Sequence, residues 1–143
     1  MSAQLAVRLV HVLAAITWIG GMLFIALVLV PVTRGLPDPT LRTGLVQATG
    51  RRFRTIGWVA LGVLVAIGLL NLWFRPELLA APGFHAKAGL VVLTLVLSGV
   101  HDFVLGPRAG RAGAHPAARA SWIARVNVVV VLAIVALGLA FRG

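Results

Sequence analysis

Four apolar runs, separated by short connections rich in helix breakers, constrain this chain more than any other feature. The first, Leu9 to Thr33, holds no formal charge, and neither does the second, Thr55 to Phe74. The third, Phe84 to Leu105, is charged only at Lys87 and Asp102, and the fourth, Ser121 to Phe141, only at Arg125. About 20 apolar residues in a helix cross the hydrocarbon layer of a bilayer. Within that layer a segment must satisfy its own backbone N–H and C=O groups, which a helix does. The connections "RGLPDPT", "RPELLAAPG" and "GPRAGRAGAHP" carry the Pro and Gly that end such helices. The sequence therefore predicts an all-α integral membrane protein. Its four transmembrane helices, about 4–31, 53–74, 84–105 and 120–141, form an up-down bundle in a single domain, 1–143.

Composition agrees. Of 143 residues, 60% are hydrophobic and 11% charged, whereas soluble domains carry about a quarter charged residues. The net charge of +10 is not the polar basic face of a nucleic-acid binder, because the Arg residues cluster between the apolar runs. The partner this predicts is membrane lipid, and no nucleic acid. Nine Lys and Arg fall on one side of the predicted topology (Arg34, Arg42, Arg51, Arg52, Arg54, Arg108, Arg111, Arg119, Arg125) and four on the other (Arg8, Arg75, Lys87, Arg142). The richer side is expected in the cytoplasm, which places both termini outside a bacterial-type inner membrane. The first run is too long for a signal peptide and no small-residue cleavage site follows "LVLVPVTRG", so it reads as a retained helix. With no Cys, the chain offers no disulfide, no thiolate ligand and no CxxCH haem tether.

Ionisable side chains within spans are costly and mark functional sites. His11 on the first helix and His85 on the third lie toward the outer side, at the level of Asn71, with Arg8, Arg75, Glu77 and Lys87 at the rim. His101 lies toward the cytoplasmic end beside Asp102, near Ser98, Asn127 and the Arg cluster. His115 falls in the Gly- and Ala-rich connection and reads as solvated. Trp18 and Met22 follow His11 by seven and eleven residues, one stripe of a helix, and Gly20 and Gly21 leave room for a close neighbour. A haem slot needs this combination: an inward neutral imidazole, small residues beside it, a second axial ligand (His85) and basic partners for propionates (Arg8, Arg75 or Lys87). The same residues also read as the packed face of a helix, with His11 hydrogen-bonded to a neighbouring helix.

A family resemblance rests on these residues. "LVHVLAAITWIGGMLFIALVLVP" resembles the opening helix of the copper-resistance D (CopD) family, with its His, W-x-G-G and following Pro. "RRFRTIGWVALGVLVAIGLLNL", "HDFVLGPR" and "IARVNVVVVLAIVALGLAFRG" resemble the later helices of that family. "FHAKAGLVVLTLVLSGVH" is also similar to the third helix of HemJ-type protoporphyrinogen oxidases, four-helix proteins that bind haem b. The resemblance implies that His11, His85 and His101 are the family's histidine positions. At Asn127 the chain has Asn-Val where the HemJ pattern has Asn-Glu.

The leading expectation is a haem b protein with an electron-transfer or oxidoreductase role, whose partner is a quinone or another redox carrier. His11 and His85 would ligate the iron, with Arg8, Trp18, Asn71 and Lys87 around the macrocycle. The alternative is copper binding or transport, with His11, His85 and His101 as ligands. Soft Cu(I) prefers thiolate and thioether, and the chain supplies only Met1 and Met22. A third reading is a structural subunit, and a homo-oligomer is compatible with each. No hydrolase or nucleotide-binding motif is present in the sequence.

Overall fold

The computed structural model describes residues 3–81, 83–106 and 114–140. Among them there is no strand, and four helical stretches are long and apolar enough to cross a membrane: Ala3–Arg34, Pro39–Phe74, Phe84–Leu105 and Arg119–Ala140. The chain divides into two compact units, Met1–Arg75 and Pro76–Gly143. Each is a helical hairpin.

The first hairpin pairs α1 (Ala3–Phe24), continued through a π-helical turn (Ile25–Leu29) and α2 (Val30–Arg34), with α3 (Pro39–Phe74). Pro31 explains the turn. A proline at that position has no N–H for the preceding turn and its ring crowds the carbonyl four residues back, and a π-helical turn relieves such crowding without ending the helix. After Gly35 the chain restarts at Asp38, whose carboxylate accepts the Thr40 backbone N–H at 2.8 Å. With Pro39 at the first helical position, this is a strong N-terminal signal. α3 therefore begins well before residue 53. At 36 residues it is about 54 Å long, far more than the ~30 Å hydrocarbon layer. The uncharged Thr55–Phe74 part has the length of the span, and the preceding part carries Arg42, Arg51, Arg52 and Arg54.

In the second hairpin a short 3₁₀ turn (Pro76–Ala80) leads to α4 (Phe84–Gly99), a second π-helical turn (Val100–Leu105) and α5 (Ala114–Ala140). Gly83 takes φ 79° just before α4, a conformation that costs a residue without Cβ little. The backbone of His115 lies in the first turn of α5 rather than in a loop; its side chain lies outside the described residues.

Very little of either hairpin is buried. Trp18, Gly57, Ala60, Leu61 and Ile67 form the seam of the first, and Thr94, Ser98, Ala120, Asn127, Val130 and Val131 that of the second. Large apolar side chains such as Leu13, Ile16, Leu27, Val59, Leu69, Val92, Val96 and Val129 point outward. In water such surfaces would drive aggregation. In lipid they meet a solvent as apolar as themselves, so small residues and polar groups must hold the helices together.

The two hairpins repeat one pattern. Trp18, the π-helical turn ending at Leu29, and Pro31 recur 76 positions later as Thr94, the turn ending at Leu105, and Pro107. Buried Gly57, Ala60 and Leu61 on α3 recur 70 positions later as buried Asn127, Val130 and Val131 on α5. The framework is shared, and the residues that fill it are not.

Candidate functional site

In the first hairpin the space beside Gly21, one edge of the anticipated slot, is filled. Trp18 is 6% exposed, and its Cδ1 lies 3.5 Å from where a Cβ on Gly57 would stand. The Phe53 ring from α3 occupies the space beside Gly21, so closely that a methyl group there would collide with it. Gly20 faces open space instead. The room expected beside Gly21 for a macrocycle is thus taken by an aromatic ring of the same hairpin. This is the physical reason the glycine is small. His11 is half-buried on α1 with Nδ1 shielded from the surface. Arg8 and Asn71 are exposed, and the Asn71 carbonyl accepts the Arg75 N–H at 2.9 Å as α3 ends.

The other anticipated residues belong to the second hairpin. His85 is exposed, its ring edge-on to Phe84 at 5.5 Å between centroids. Lys87 is exposed too, yet its Nζ reaches to 3.7 Å from the Cβ position of Gly138, in the last turn of α5. A cation there complements the partial negative charge of the helix end. Lys87 thus has a role in holding the hairpin.

A line of polar side chains runs along this hairpin. Thr94 and Ser98, one turn apart on α4, are both buried, and Asn127 on α5 donates from Nδ2 to Ser98 Oγ at 2.9 Å. A buried interhelical hydrogen bond of this kind helps to hold two helices together in a bilayer. One turn further along, inside the π-helical turn, His101 Nδ1 and Asp102 Oδ1 are 2.9 Å apart. Their side chains remain 37% and 22% exposed. When neutral His101 donates its Nδ1–H to the carboxylate, the Nε2 lone pair is left for a Lewis acid. That second-shell arrangement orients metal-binding imidazoles, and π-helical turns recur at functional sites. Among the described residues, no group of three or more His, Asp or Glu is gathered closely enough to enclose a metal.

The copper resistance protein D (CopD) family model matches residues 47–141, from within α3 through α5 and beyond. The chain belongs to the CopD family. An uncharacterised protein of Aquifex aeolicus is 32% identical over 138 residues, covering 92% of this chain and 90% of that protein. The copper transport protein CutJ of Bacillus subtilis is 32% identical over 132 residues, covering 87% of this chain but only 23% of CutJ. No solved structure matches. The family and the named relative favour the copper reading that the sequence left as an alternative. Neither supports haem b, iron, electron transfer or an oxidoreductase role, and the likeness to HemJ gains nothing from them.

Two features escaped the sequence reading. Phe53, the partner of Gly21, could not be paired with it by spacing, because the contact joins separate helices. Thr94 did carry a signal: Thr94, Ser98 and the His101–Asp102 pair recur at helical spacing in an otherwise apolar run.

Proposed function

We propose that this membrane protein carries copper across the bilayer, with His101 as the imidazole that meets the ion and Asp102 as the residue that orients it. The observation that carries the reading is the 2.9 Å His101–Asp102 pair, set in a helix long and apolar enough to span a membrane, in a chain of the CopD family. Imidazole accepts copper readily. A site with one protein ligand leaves the remaining positions to water, so the ion is held as cargo that can leave again. CutJ, to which the chain is similar over 132 residues, bears the name of a copper transport protein, which supports this reading. His85 is the further imidazole that the same hairpin offers the ion. In the orientation favoured by the Lys and Arg asymmetry, both termini face outward and His101 receives or releases copper at the cytoplasmic end.

Equilibrium dialysis of the detergent-purified protein against Cu(II) tests this reading. The intact protein is expected to bind copper, and His101→Ala to lose that binding. Asp102→Asn is expected to weaken binding about 10- to 100-fold, the usual effect of removing a group that orients a metal-binding imidazole. Copper binding unaffected by His101→Ala would overturn the assignment of the site. A haem Soret band without copper binding would overturn the copper reading itself.

A further inference from the structure

We propose that Thr94, Ser98 and Asn127 form an internal water-binding site in the middle of the second hairpin, a site that does not depend on copper. Thr94 is 1% exposed, and its Oγ1 is shielded with no hydrogen-bond partner in the protein. A buried hydroxyl left without a partner carries its full desolvation penalty, and native proteins rarely leave one so. Threonines in helices ordinarily bond back to a carbonyl of the preceding turn, as Thr43 does to the Pro39 carbonyl at 2.9 Å. Thr94 departs from that habit. Across the hairpin, Val130 and Val131 are buried on α5, one turn beyond Asn127, and methyl groups cannot serve a hydroxyl. Asn127 is 5% exposed; its Nδ2 is engaged with Ser98 and its Oδ1 is buried as well. That oxygen is an acceptor of the kind a water needs.

The first hairpin shows what stands at this position in the other copy of the framework. At the position equivalent to Thr94 it has Trp18, whose indole lies against Gly57, and Gly57 stands at the position of Asn127. Replacing an indole by a threonine removes far more volume than replacing glycine by asparagine restores. A buried water needs about the volume of one probe sphere and two to four polar partners. Here the Thr94 hydroxyl, the Ser98 hydroxyl and the Asn127 side-chain carbonyl offer the partners. A water bound there links Thr94 to Ser98 and Asn127, extending the polar line from the His101–Asp102 pair to the middle of the span.

The thermal midpoint of Thr94→Val in detergent decides by its sign. If water is bound, valine removes one of its partners and the midpoint falls by several degrees. Thr94→Ser, which keeps the hydroxyl, stays closer to the intact protein than Thr94→Val. If the site is dry, valine replaces an unsatisfied hydroxyl with a methyl of the same shape, the midpoint rises, and the proposal is overturned. X-ray radiolytic labelling of the intact protein reads the same site without a mutation. Radicals formed from a bound water should oxidise Val131, which is 2% exposed, and an unlabelled Val131 contradicts the proposal. Melting in sodium chloride and in choline chloride at equal ionic strength should give the same midpoint. A rise specific to sodium and lost in Thr94→Val would mean that a hard cation occupies the site in place of water.

Discussion

Trp18 and Gly57 in the first hairpin stand where Thr94 and Asn127 stand in the second, and the two hairpins hold their helices together by opposite means. In the first, shape does the holding: an indole against a glycine, and the Phe53 ring against Gly21. Dispersion over such close contacts is the main attraction between helices in lipid, where apolar surfaces gain nothing from leaving the solvent. In the second, the Asn127 amide donates to the hydroxyl of Ser98, one turn from Thr94, at 2.9 Å. The two hairpins share four buried positions and a π-helical turn near the same end. A shared framework is thus filled once for packing and once with polar chemistry. The metal-facing candidate, His101, belongs to the polar copy, at the position that the first hairpin gives to Ile25.

This contrast can be broken most forcefully at Gly21. Gly21→Ala drives a methyl group into the Phe53 ring and should destabilise the first hairpin by about 1–3 kcal/mol, the usual cost of overpacking. Detergent melting would show it, and Phe53→Leu in the same chain should return part of the loss, because contacting residues are not additive. Gly20→Ala faces open space and is the matched control, neutral or slightly stabilising. If both alanines behave alike, shape does not close the first hairpin. A smaller effect sharpens the other half. Ser98→Ala leaves the Asn127 amide without its acceptor, and hydrogen bonds between membrane helices contribute about 0.6–1.7 kcal/mol. Adding Asn127→Val to that variant should recover much of the loss. A loss that deepens instead would mean that Asn127 holds the hairpin through contacts other than Ser98.

The spans were legible because length and apolarity alone specify a helix that must satisfy its backbone in lipid. The start of α3 was less so, since the Asp38–Pro39 signal lies among breakers and the helix from there to residue 54 is polar enough to pass for a connection. Gly21 was read correctly as a place of close approach, yet the sequence could not tell a ring of the same chain from a flat ligand. His11, His85 and His101 were visible as rare ionisable groups in apolar helices. Imidazole serves haem iron and copper equally well, so residue type could not choose between them, and the choice came from the family match over residues 47–141. Thr94 shares its helical spacing with Ser98 and the His101–Asp102 pair, but a threonine in a helix is ordinary until its hydroxyl is found buried.

The central claim, that the copper chemistry resides in the second hairpin, is tested most directly by copper uptake into sealed proteoliposomes containing the intact protein, His101→Ala or His11→Ala. The account predicts uptake by the intact protein, a loss of at least tenfold in His101→Ala, comparable to the lower bound for disrupting a metal site, and a smaller loss in His11→Ala. Uptake that survives His101→Ala and disappears in His11→Ala would contradict it and move the copper site to the first hairpin.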